Sequence, residues 1–113
     1  MTTSVDEYIE SAARKFKKTP YWNSLYQNAP SERSRQYLDM ICAMAWTAYE
    51  RTDYGYRHIC VFQDRMNQTM AAFDVDDWVY LKSWHPHLST RWLCVRKILE
   101  IKAYEKLGWL IGG

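Results

Sequence analysis

Helix signals run along this chain almost without a break, and nothing in it marks a β-hairpin, which confines the fold to packed helices. Only four glycines and three prolines punctuate 113 residues. No Asn-Gly pair occurs, and no segment sustains the apolar-polar alternation of a half-buried strand. Ser4 followed by Glu7 has the spacing of a capping box, so a first helix starts there. Val5, Tyr8, Ile9, Ala12, Ala13 and Phe16 recur at intervals of three and four, forming one apolar stripe. Arg14, Lys15, Lys17 and Lys18 crowd the last turn, where positive charge suits the negative end of the helix dipole.

Thr19 and Pro20 read as the N-cap and first position of a short second helix carrying Tyr21, Trp22, Leu25 and Tyr26, ended by Asn28. Pro30 and Ser31 open a longer, central helix whose wide apolar face runs from Tyr37 through Leu38, Ile41, Cys42 and Ala45 to Tyr49. Met40, Met44 and Trp46 add apolar surface off that face, so neighbours should surround this helix on several sides. Asp53 and Gly55 mark a break. From Tyr56 to Phe73 a helix is favoured over a short strand at His58 to Phe62, because a lone strand would have nothing to pair with. Asp74 caps a short helix with Asp76 and Asp77 in its first turn, and His85, Pro86 and His87 end it. Ser89 or Thr90 caps the last long helix, with Gly108 as its C′ residue. The expectation is an all-α, irregular or orthogonal bundle of five to six helices, in a single helical domain over residues 1–113.

A chain of this length buries roughly 65% of its extended surface and needs no disulfide or metal to fold. Cys42, Cys60 and Cys94 are odd in number and sit among apolar neighbours, so they read as reduced core residues. With neither a secretory h-region nor an apolar run approaching 18 residues, the expected location is cytoplasmic, with no membrane contact. Charge is uneven: residues 1–38 carry six basic and four acidic groups, residues 39–77 three and seven, and residues 78–113 six and two.

The sequence holds no phosphate-binding glycine loop, nucleophile elbow or zinc-protease motif. His85 and His87 with Cys94 have no recognised zinc spacing and read as a turn exposing two imidazoles. Asp74, Asp76 and Asp77 lack the glycine and terminal glutamate of a calcium loop and read as caps. No cofactor, metal ligand or catalytic residue is assigned, and an enzyme ranks third among the readings.

Six tryptophans and nine tyrosines are more than one small core needs. Trp78, Trp92, Tyr37 and Tyr104 lie on apolar stripes and should be buried. Tyr21, Trp22 and Tyr26 share a helix too short to bury all three, while Tyr54, Tyr56 and Trp84 sit at or beside breaks, so these six are assigned to an exposed partner-binding patch. Arg91, Arg96 and Lys97 are assigned to a basic partner-binding face of the last helix. The leading reading is a non-enzymatic module, an inhibitor or adaptor, that docks onto a larger protein or complex. A viral or mobile-element protein that blocks a host enzyme or defence complex fits that description. The alternative is a nucleic-acid-binding regulator, since Asp76 to Glu100 has the outline of a helix-turn-helix, with Trp84, Trp92 and Tyr80 as stacking platforms. The turn residues His85, Pro86 and His87, and Trp92 and Leu93 at the front of the second helix, argue against it.

Overall fold

The computed structural model describes residues 4–112, with side chains to residue 108. Every element among them is a helix: α1 (Val5–Lys17), α2 (Pro20–Asn28), α3 (Glu32–Glu50), α4 (Asp53–Arg57), α5 (Ile59–Ala71), α6 (Val75–Trp84) and α7 (Leu88–Gly112). The seventh, beyond the five to six expected, is α4, where Asp53 and Gly55 had suggested a break. The segment from Ile59 is helical, and the strand alternative falls. Contacts divide the chain into two compact units, Met1–Ala72 and Phe73–Gly113.

In the first unit, α3 packs against α1, α4 and α5, as its apolar surplus suggested. The caps account for where the helices begin. Ser4 Oγ accepts the Glu7 N–H at 3.1 Å and Ser31 Oγ accepts the Ser34 N–H at 3.2 Å. Thr19 serves two helices, standing at the N-cap of α2 while its hydroxyl donates back to the Phe16 carbonyl at 2.7 Å. α3 ends at Arg51, which takes the left-handed conformation with φ of 55° without being glycine, so the break at Asp53 and Gly55 marks the end of this helix only to within a few residues.

Ile9, Ala12 and Ala13 bury the middle of α1, and Tyr37, Leu38, Cys42 and Ala43 bury α3. Phe62 of α5 is fully buried with its ring stacked on Tyr8 at 5.8 Å. The Tyr8 hydroxyl lies 2.8 Å from both Thr47 Oγ1 and Thr52 Oγ1. A hydroxyl has one proton, and this fixes the direction of the whole chain of bonds. Thr47 spends its proton on the Ala43 carbonyl at 2.8 Å, so it accepts from Tyr8. Tyr8 then accepts from Thr52, whose oxygen accepts the Gly55 N–H at 3.1 Å. Gly55 is required here for space: a Cβ would stand 2.6 Å from the Tyr8 and Thr52 oxygens and would collide with Thr47 Oγ1.

In the second unit, α6 packs on α7. Asp74 and Asp77 form a reciprocal capping box, each carboxylate accepting the other's N–H at 3.1 Å. Phe73 meets the buried Trp78 edge-on at 5.1 Å. α7 begins at Leu88, ahead of the expected Ser89 or Thr90, with its first bond from the Arg91 N–H to the His87 carbonyl at 3.1 Å. It also runs through Gly108, the expected C′ residue. A mid-helix glycine costs only about 1 kcal/mol, and no proline follows to stop propagation.

Replacing Tyr8 by Phe keeps the ring stack but leaves the Thr52 hydroxyl without an acceptor and Thr47 without a donor. Urea unfolding should show a loss of about 1–3 kcal/mol. Gly55→Ala should also destabilise, and wild-type stability in both variants would show that the bond chain does not hold α1 to α3.

Candidate functional site

Where α1 ends and α2 begins, the last turn of α1 faces the later part of α3. A cleft of about 390 Å³ opens there, lined by Lys15, Phe16, Thr19, Ala45, Trp46 and Tyr49. Its walls are almost wholly apolar carbon. Lys15 lays its ammonium over the Trp46 ring, 3.8 Å from the centroid, a cation–π contact that keeps a charge at the mouth of an apolar slot. Trp46 and Tyr49, three residues apart on α3, tilt against each other at 6.0 Å. Phe16 carries the aromatic surface onward to the edge-on Trp22 at 5.0 Å, and Trp22 to Tyr21 at 5.9 Å. Tyr49 is 78% exposed and Tyr21 61% exposed, whereas Trp22 and Trp46 are half-buried. The α1 end adds Arg14, Lys17 and Lys18, with Glu10 4.0 Å from Arg14 as the nearby counter-charge. Lys17 also caps the Tyr26 ring at 4.4 Å.

The nine residues assigned from sequence are distributed over both units. Tyr21 and Trp22 belong to the cleft surface. Tyr26 does not: it is buried, its hydroxyl donating to Asp39 Oδ1 at 2.6 Å and lying 3.5 Å from Cys42 Sγ. α2 buries Leu25 and Tyr26 in its second half, while Tyr21 in its first turn is exposed although only about 40° round the helix from Leu25. Tyr54 is half-buried, stacked on His58 at 4.2 Å and tilted against Tyr8 at 5.2 Å, while Tyr56 is 51% exposed. In the second unit Trp84 is half-buried between Tyr80 and His85, at 6.0 and 5.5 Å. Arg91 Nε donates to the His85 carbonyl at 2.6 Å, and Arg96 and Lys97 both lie within 4 Å of Glu100, at 3.7 and 3.5 Å. The basic face is therefore partly neutralised by its own helix.

Trp46 and Tyr49 escaped assignment. Tyr49 falls on the apolar stripe of α3, and Trp46, off that stripe, reads from the sequence as a sign of further packing. The available signal was Trp46 itself, a large aromatic off the stripe with Tyr49 one turn on. Trp92 and Tyr104, expected in the core, are 64% and 74% exposed, whereas Trp78 and Tyr37 are buried as expected.

Buried polar groups elsewhere are held, not activated. Burial, with the Asp39 hydrogen bond second, raises the Tyr26 phenol far above its ordinary range. Burial likewise pushes the Cys42 thiol up to about 11 and raises Asp39. A thiol so protonated at neutral pH is a poor nucleophile. Cys94 is buried and raised by the same cause, but Cys60 is exposed, contrary to the expectation that all three cysteines are core. His85 is buried instead of displayed by its turn. Its Nδ1 accepts the His87 N–H at 3.1 Å, which requires the neutral ring. Among the described residues no three His, Cys, Asp or Glu side chains converge on a metal position, and no helix is long and apolar enough to cross a membrane.

Comparison of the chain with protein-family models, with curated proteins and with solved structures gives no match.

Burial, followed by the nearby His87 charge, lowers the His85 pKa from its ordinary 6.5. The unfolded chain thus takes up this proton first, so the stabilisation is complete above about pH 6.5 and is lost as pH falls below it. His85→Asn keeps an acceptor for the His87 N–H but cannot titrate. Between pH 7 and pH 5 its melting temperature should fall less than that of wild type, and parallel curves would refute the assignment. Alkylation of the native protein should modify Cys60 alone, with Cys42 and Cys94 reacting only after unfolding, as mass spectrometry of the products can verify.

Proposed function

We propose that this chain is a non-enzymatic binding module, an inhibitor or adaptor, that docks onto a larger protein by seating one of the partner's apolar or aromatic side chains in the α1–α3 cleft. The observation that carries this reading is the cleft itself, with apolar walls, two α3 aromatics and a cationic lip at Lys15. An apolar slot with a few fixed polar groups is the usual form of a recognition pocket, and Trp and Tyr are the residues most often found at binding hot spots. The charges on the α1 end select the occupant: Arg14, Lys15, Lys17 and Lys18 favour a segment whose apolar anchor is flanked by Asp or Glu. Burial of the anchor supplies affinity, and the lysines supply orientation and rate of encounter.

Selection from a random displayed-peptide library tests this directly. The wild-type protein should enrich peptides with an aromatic or large aliphatic residue beside acidic ones. Tyr49→Ala removes a mostly exposed ring and should leave the melting temperature unchanged while weakening the selected peptides about 30-fold, the equivalent of about 2 kcal/mol. Trp46→Ala should weaken them at least as much, and Lys15→Glu should act chiefly through the salt-dependent part of the affinity. Peptides that bind Tyr49→Ala and Trp46→Ala as tightly as wild type would exclude the cleft. Retention of generic duplex or single-stranded nucleic acid at moderate salt, with no peptide enrichment, would point to the basic residues of α7 instead.

A further inference from the structure

α7 carries two apolar stripes, and α6 can cover only one. At 100° per residue, Cys94, Ile98 and Ile101 lie along one side of the helix, and Leu88, Trp92, Val95 and Leu99 lie along another about 120° away. The first stripe is the covered one, with Cys94 and Ile98 buried. The second is open: Leu88, Trp92 and Leu99 are 67%, 64% and 63% exposed, with Val95 half-buried between them. Length adds to the imbalance, since α6 has 10 residues and α7 has 25, or about 15 Å against about 37 Å. The intervals in the open stripe are four, three and four, the repeat of a coiled-coil seam. Continued, that repeat falls on Lys102 and Lys106.

We propose that this seam is a self-association surface on which α7 pairs antiparallel with α7 of a second copy of the chain, about a two-fold axis close to Lys97. The two lysines decide the orientation. A parallel pair would lay Lys102 on Lys102 and Lys106 on Lys106, placing like charges against each other inside the seam. Reversing one helix removes both conflicts in a single register. Leu88 then faces Lys106, Trp92 faces Lys102, and Val95 faces Leu99, each pair occurring twice as an isologous contact requires. Lysine stems cover apolar surface while their ammonium groups reach the edge, and Trp92 offers Lys102 an aromatic face. Flanking charge agrees, because Arg91 of one copy lies beside Glu105 of the other. Arg96 meets its own copy near the axis, and Glu100 accompanies it 3.7 Å away as counter-ion. The seam belongs to the second unit and the cleft to the first, so this association stands or falls without reference to the proposed docking function.

Sedimentation equilibrium through the micromolar range should give twice the monomer mass for wild type. Leu99→Glu puts a carboxylate beside Val95 at the centre of the pair and should raise the dimer dissociation constant about 30-fold or more, with circular dichroism unchanged because Leu99 is exposed. Orientation is read by cross-linking in a Cys60→Ser background under a glutathione redox buffer. Mixed Val95→Cys and Leu99→Cys chains should form the heterodimeric disulfide faster than either forms its own homodimer. A wild-type protein that stays monomeric throughout, a Leu99→Glu variant that dimerises as wild type does, or faster self-cross-linking of Val95→Cys would each overturn the proposal.

Discussion

A single directed chain of hydrogen bonds, from the Gly55 N–H through Thr52, Tyr8 and Thr47 to the Ala43 carbonyl, holds the first unit in register. Each hydroxyl both gives and receives, so removing any one of them leaves a donor and an acceptor unmatched. Such a network acts as a unit in a low-dielectric interior. It ties α1 to α3 and to α4, and the Phe62 ring covers Tyr8 from α5. With α1 held in this way and its small residues Ala12 and Ala13 buried, Lys15 and Phe16 come alongside Ala45 and Trp46. The cleft is therefore a consequence of the bond chain: apolar burial brings the helices together, but burial has no direction, and the hydroxyls set the alignment.

The chain's helices were largely readable from its residues, and the failures have physical reasons. Ser4, Ser31 and Asp74 show their caps in the sequence because an N-cap is a local bond three residues long. α4 was missed because glycine is normally read as a breaker, and Gly55 is present for a different reason, to admit three hydroxyl oxygens, of which that of Tyr8 is distant in sequence. The α3 terminus was blurred because Arg51 takes a left-handed conformation that usually announces itself as glycine or asparagine. Gly108 announced an end that does not occur, since glycine lowers helix propensity without abolishing it.

The site was less legible than the fold. Tyr21 and Trp22 stand out because α2 is short, and that reasoning fails for Tyr26, which is buried one turn further along the same helix. Periodicity tells which residues share a face, not what lies over that face. Trp78 and Trp92 illustrate this: both fall on apolar stripes, yet one is 4% exposed and the other 64%. The cleft joins residues some thirty positions apart, Lys15 and Phe16 with Trp46 and Tyr49, and no local pattern encodes that meeting.

The exposed aromatics fall into two sets whose surroundings differ in kind. Around the α1–α3 cleft the end of α1 sets Arg14, Lys15, Lys17 and Lys18, with Glu10 beside Arg14, so the charge of that helix end favours an acidic occupant unlike itself. Along the proposed α7 seam the apolar residues come first and the lysines last, so a reversed second copy would set Trp92 against Lys102 and Val95 against Leu99. The two would act jointly if both are used. A dimer formed through α7 carries two clefts, and a partner with two acidic-apolar segments would bind the second at the effective concentration set by the first, which can raise avidity by about 100-fold or more without any new contact. The gain vanishes if the segments cannot span the two clefts. A weak single-cleft affinity would then be enough for a stable complex with a repetitive target, and the open seam would strengthen the docking function while contributing no contact to the partner.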